Sequence, residues 1–301
     1  MNAAPNERLA LACALGAVLA WSTVATGFKL GLRILEPLQL LWLGSLVSLA
    51  FFAAATAATG RWRALLRLPA PDWGRLALLG LMNPFLYYFI LFEAYDRLPA
   101  QIAQPLNYTW AITLAILAVP VLGQRLTARA LAGIALSYGG VVVLLAQGRW
   151  DGLAQVSGVG VALALVSTLV WASYWLANVR LRIDPLVAMT GSFAVGTPAV
   201  GLACAMLEGW PALGAAALGY GAWVGLVEMG VTFILWQTAM RRTAHAAQIA
   251  QLIFLSPFVS LVLIDRVLGE AVSASSVGGL ALIVAGLVLA RKRQESSAGR
   301  A

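Results

Sequence analysis

Gln101, Gln104, Asn107 and Tyr108 lie within QIAQPLNYTWAITLAILA, a stretch otherwise apolar enough to cross a lipid bilayer. On a helix turning by about 100° per residue, these four side chains share a sector of about 120°. Each amide both donates and accepts hydrogen bonds, so the row can hold the ammonium and the carboxylate of a zwitterion without fixed charge. Unpaired amides are costly in hydrocarbon, so the stripe is expected to face a cavity between helices. The same stripe could also serve as interhelical hydrogen-bonding glue.

Other faces repeat the mixture. Ser167, Thr168, Trp171, Tyr174, Trp175 and Asn178 fall within about 120° of one another on a helix. Trp171 has a first-half counterpart in Trp21, since LAWSTVATGFKL matches LVWASYWLANVRL, and both are expected to face the cavity. Aromatic residues near helix ends can also mark the membrane interface, the competing role for Trp175 and Asn178. Asn83 and Tyr87 share a face, with Tyr88 directed elsewhere, and Pro84 beside them. Glu228, with Thr232 one turn along, is a carboxylate placed near a bilayer centre, a candidate to be protonated, to hold a substrate ammonium or to pair with Lys29. His245, Gln248, Gln251 and Ser256 precede or flank Pro257, which frees a backbone carbonyl as breaks beside cavities do. His245, next to Arg241 and Arg242, reads as a solvated interfacial residue. Indole and phenol rings add flat apolar area or a face for a cation. The substrate-binding set is therefore Trp21, Asn83, Tyr87, Gln101, Gln104, Asn107, Tyr108, Trp171, Tyr174, Trp175, Glu228, Gln248 and Gln251.

Catalysis has little to work with. There is one histidine, no acid pair closer than Glu93 and Asp96, and no cysteine motif, which argues against an enzyme, a metal site or a cofactor. No GxxxxGK[ST] segment is present, so direct ATP drive is not expected. Cys13 and Cys204 sit in apolar runs and are expected to stay free.

Those side chains must be positioned by membrane helices. The 301 residues are 61% hydrophobic and only 11% charged, with mean hydropathy +0.86, far from the roughly 25% charge of soluble domains. Spans of about 20 apolar residues are expected at 9–28, 37–58, 75–95, 99–120, 127–146, 156–179, 186–207, 218–239, 245–264 and 274–290. The net charge of +8 sits in the short breaks between them, as topology signals rather than a nucleic-acid surface. With the N-terminus cytoplasmic, inner segments carry 15 Lys and Arg and outer segments 5, which predicts both termini inside.

The chain repeats itself. AQIAQ occurs at Ala100–Gln104 and Ala247–Gln251, VLGQRLTARALAGIALSYGGVVVLL from Val121 resembles VLGEAVSASSVGGLALIVAGLVLA from Val267, and Glu36-Pro37-Leu38 matches Asp184-Pro185-Leu186. The halves are expected at 1–148 and 149–301, with five spans each. An odd number inserts the second copy from the opposite side, the inverted-repeat plan of secondary transporters, with a substrate site near the midplane. Gly133, Gly139 and Gly140, with Gly278, Gly279 and Gly286, allow close helix approach within the scaffold or at a homodimer contact.

With its two five-span halves, each ending in a VLGE-like motif before the last helix, the sequence resembles the drug/metabolite transporter superfamily, EamA type, over about 10–290. Glu270 carries the motif's acid, whereas Gln124 replaces it in the first half. The aromatic content of the polar faces most resembles YddG-type amino-acid exporters. The resemblance implies an all-α polytopic protein of a bacterial inner membrane, exporting small metabolites by alternating access. Neutral and aromatic amino acids are the expected cargo, and a proton-coupled multidrug efflux carrier is the alternative. A channel or a polytopic membrane enzyme is a remote one. The expected partners are a small-molecule substrate and the lipid bilayer, not nucleic acid.

Overall fold

A computed structural model describes residues 6–122, 127–146, 156–179, 181–243, 249 and 252–291. Among the described residues every regular element is helical. Eight helices are long and apolar enough to cross a membrane: α1 (Glu7–Gly31), α2 (Pro37–Ala58), α3 (Ala70–Arg97), α4 (Ala100–Val121), α5 (Ala128–Ala146), α6 (Gly158–Asn178), α7 (Pro185–Leu207) and α8 (Ala215–Arg242). The two remaining expected spans are shorter in their described parts. They are α9 (Ser256–Leu263), extended by one wide turn at Ile264–Leu268, and α10 (Ala274–Arg291). Residues 245–248, 250 and 251 of the expected ninth span lie outside the described residues.

The helix starts are written in the sequence. Pro37 and Pro185 each occupy the first turn of α2 and α7, where a missing N–H costs nothing. Asp184 Oδ1 caps α7 by accepting from the N–H groups of Leu186 (3.0 Å) and Val187 (3.3 Å). At the start of α2 the corresponding acceptor comes from the end of α7. Glu208 Oε2 accepts from the N–H groups of Leu38 (2.9 Å) and Gln39 (3.1 Å), satisfying donors that a helix leaves open.

The two halves pack as symmetric partners. A Cβ added to Gly133 would lie 2.5 Å from the carbonyl oxygen of Gly286, and one added to Gly140 would lie 2.6 Å from that of Gly279. Backbone therefore touches backbone, and any larger side chain is excluded. Gly279 and Gly286 are the counterparts of Gly133 and Gly140 at the 146-residue offset. The contacts thus exchange partners between the halves, as a two-fold relation requires, and α5 runs antiparallel to α10. Ser137 Oγ donates to the carbonyl of Ile283 (3.0 Å), its own counterpart at the same offset. The α2–α7 pair behaves likewise. Thr56 and Thr190 hydroxyls meet at 2.7 Å, and Thr197 Oγ1 donates to Ser45 O at 3.3 Å, so these equivalents are antiparallel too. Gly139 and Gly278, unlike their neighbours, face open space.

Four helices break near their middles. Thr23 interrupts α1, its hydroxyl turned back onto Ala20 O (2.7 Å). In α3 a wide turn at Leu81–Leu86 contains Asn83 with extended backbone (φ −147°, ψ 115°) ahead of Pro84. In α4, Thr109 separates Ala100–Tyr108 from the continuation at Trp110. In α8 the turn Val224–Glu228 is wide, and the helix resumes at Val231 after Gly230. Wide turns and prolines are recognised causes of such kinks, and all four lie beside the same cavity.

Candidate functional site

A cavity of about 290 Å³ lies between α1, α3, α4, α6 and α8, with Ile253 ahead of α9 completing the wall. It draws on both halves of the chain. Trp21, Tyr87, Gln104, Asn107, Tyr108, Trp171, Trp175 and Glu228 all line it, so most of the set read from the sequence converges on one space.

Aromatic rings form its frame. Tyr87 stacks on Trp171 with centroids 4.4 Å apart and planes 23° apart, which joins the halves through a ring pair. Trp175 meets Trp171 edge-on at 5.8 Å, and Trp21 packs against Phe233 (5.9 Å) and Trp236 (5.5 Å). Such geometries are the favourable ones for ring quadrupoles. Asn107 braces the frame, its Nδ2 donating to Tyr87 OH and to Ser167 Oγ, both at 3.3 Å. Thr113 and Thr168 hydroxyls pair at 2.9 Å just behind.

Three polar atoms in these walls have no hydrogen-bond partner: Gln104 Oε1, Trp175 Nε1 and Glu228 Oε2. Buried polar groups are normally paired, so one donor and two acceptors remain for something else to satisfy. Glu228 Oε1 is engaged, accepting from Tyr88 OH at 2.9 Å. Lys29 does not reach Glu228. Its Nζ donates to the carbonyls of Tyr95 (2.8 Å) and Leu98 (3.1 Å).

Three residues of the expected set lie elsewhere. Asn83 is buried on the wide turn of α3, whose extended backbone rotates it away from the face it would share with Tyr87 on a continuous helix. Tyr174 stacks on Trp171 (5.3 Å) outside the lining, with its hydroxyl on Met189 Sδ (3.8 Å). Gln101 closes one end of the bundle instead. Its Nε2 donates to Ala271 O (3.1 Å), and its Oε1 accepts from Ser276 Oγ (2.8 Å) and Ser273 N (3.4 Å). Gln248, Gln251 and His245 lie outside the described residues.

Sequence reasoning missed Phe233, Trp236 and Met240. They form an i, i+3, i+7 row along α8, a signal that was present and unread. Tyr88 stays out of the lining, directed away from the face of Tyr87 as expected, but its hydroxyl reaches Glu228. The wide turn changes the helical phase between Asn83 and Tyr87, which separates those two.

The matching family pattern is that of the EamA-like transporter family, found twice, at residues 8–146 and 158–291. This chain belongs to the EamA-like transporter family. Both copies coincide with the halves seen in the packing of α5 on α10. An uncharacterized transporter of Archaeoglobus fulgidus is 25% identical over 98% of this chain and 99% of its own length. A protein of Streptantibioticus cattleyicolor named "probable terminal-alkyne amino-acid exporter" is 28% identical over 77% of this chain and 79% of its own. A crystal structure with 25% sequence identity superposes with a TM-score of 0.66, covering 95% of this chain and 97% of that one. Its apolar helices make this EamA-like protein a multi-pass membrane protein and, by family, a transporter rather than an enzyme.

Proposed function

We propose that this EamA-like transporter exports small metabolites, neutral and aromatic amino acids foremost, by alternating access around the aromatic cavity and without direct use of ATP. The observation that carries the reading is the cavity itself. Its walls come from both halves, and its rings are interleaved with the unpartnered groups of Gln104, Trp175 and Glu228. Rings suit an apolar or aromatic side chain, and the polar groups suit the charged ends of a zwitterion. The amino-acid exporter named among its relatives supports the same class. Antiparallel equivalents (α5 with α10, α2 with α7) support two halves inserted oppositely, able to open one face and then the other. The excess of basic residues in the inner segments supports ten spans with both termini in the cytoplasm, in a bacterial inner membrane.

The test is flux in proteoliposomes loaded with labelled Phe, Trp, Met or Thr. Saturable efflux down the substrate gradient is expected, persisting when the pH gradient is collapsed. Movement of cationic dyes without movement of amino acids would replace this reading with drug efflux, and flux that stops with the pH gradient would replace uniport with proton exchange.

A further inference from the structure

We propose that Glu228 holds the ammonium group of the transported molecule through one carboxylate oxygen, restricting this carrier to substrates that carry a primary amine. The proposal rests on the reading that the aromatic cavity is the transport site, and it adds a charge requirement to it.

The geometry leaves Glu228 half complete. Tyr88 OH donates to Oε1 at 2.9 Å and holds the carboxylate in place, while Oε2 is buried with no partner. Glu228 is only 9% exposed, yet it lines the cavity. Among the described residues it is the one charged group in the lining, and Lys29, which the sequence offered as a partner, is spent on the carbonyls of Tyr95 and Leu98. A buried carboxylate without a counter-charge is unfavourable, and a cation arriving from the cavity would complete the site.

The surroundings choose the cation. A metal ion would need a shell of several oxygen ligands, and the walls here are mostly rings. A guanidinium prefers both carboxylate oxygens in a fork, and Tyr88 already occupies one. A primary ammonium needs a single strong acceptor, and the other rings lining the cavity, among them Trp21, Tyr108 and Phe233, add aromatic surface for cation–π contact. The same carboxylate repels molecules whose only charge is negative.

The test titrates the purified full chain, following the fluorescence of the cavity tryptophans, with 2-phenylethylamine, 3-phenylpropionate and benzylguanidine. Expected is quenching by the amine at concentrations at least tenfold lower than by either analogue. E228Q preserves side-chain volume and an acceptor for Tyr88, and it should abolish that preference, while E228D should keep part of it. Equal binding of amine and acid by the wild type, or an unchanged preference in E228Q, would overturn the proposal. If E228Q does not elute as a single species, the wild-type ranking of the three ligands decides alone. Parallel flux of labelled Phe separates the two readings. Glu228-dependent amine binding without amino-acid flux sinks the amino-acid assignment and leaves the anchor standing. Normal flux with amine binding that ignores Glu228 sinks the anchor alone.

Discussion

Trp171 is the residue on which the cavity turns. Its ring stacks with Tyr87 and with Tyr174 and makes edge-to-face contacts with Trp175 and Phe233. Ring pairs contribute about 0.5–1.5 kcal/mol each beyond burial, so W171A removes several such terms together with part of the apolar cavity wall. We expect W171A to raise KM for Phe at least tenfold in proteoliposomes, and W171F to recover most of it. A kcat loss at unchanged KM would place Trp171 outside the binding surface. Trp175 supports a finer expectation. Its unpartnered Nε1 is a spare donor in the wall, so W175F, which keeps a ring, should weaken Phe transport about three- to tenfold if that N–H serves the substrate carboxylate. Both tryptophans, with Gln104, Asn107 and Tyr108, were legible from sequence because α4 and α6 keep regular helical register through them. The place of Asn83 was not, because a wide turn changes the phase that a helical wheel assumes constant.

Two kinds of device shape the elements. One is the glycine seam. With Gly140 in contact with Gly279 O, the α5–α10 crossing tolerates no side chain. G140L should cost about 1–3 kcal/mol or more through overpacking, seen as a lower Tm and loss of a single gel-filtration peak, whereas G139L, facing open space, should behave as wild type. Equal effects would show that the seam is not a tight contact. Sequence singled out both glycines, and only three-dimensional packing separates them. The other device is the closure around Gln101. The ends of α1 and α3, the start of α4 and the loop before α10 meet there, with Gln101 bonded to Ala271, Ser273 and Ser276. Asn6 N bonds Arg242 O at the opposite end of α1, and Trp236 and Met240 carry the cavity lining towards that end. Each neutral hydrogen bond contributes about 0.5–1.5 kcal/mol net, so Q101A should loosen this closure by roughly tenfold in population. In a C13A/C204A background, a cysteine at the cavity position Leu91 should then react several-fold faster with a maleimide applied from the Gln101 side. An unchanged rate would mean that the closure does not depend on Gln101.

At the scale of the molecule, the repeat explains why a glutamine read as a cavity residue belongs to a closure. Gln101 sits in the first AQIAQ, and the segment that holds it, the loop before α10 with that helix's first turn, belongs to the second VLG motif. One half's copy of one motif thus grips the other half's copy of another. Periodicity alone could not reveal this, because the contact spans 175 positions in the chain. Two equivalent halves related by a two-fold exchange can form two states of similar energy, and under the proposed alternating access the Gln101 closure would have to break in the passage from this state to its counterpart. Linking the closure should therefore trap the carrier. In the C13A/C204A background, Q101C/S276C joined by a short bifunctional thiol reagent is expected to lose Phe flux, while each single-cysteine variant treated alike keeps it. A reducible linker should return flux when cleaved, which separates trapping from damage. Full flux through the linked protein would mean that the two halves pass substrate without parting at this end, and alternation would have to be sought elsewhere in the bundle.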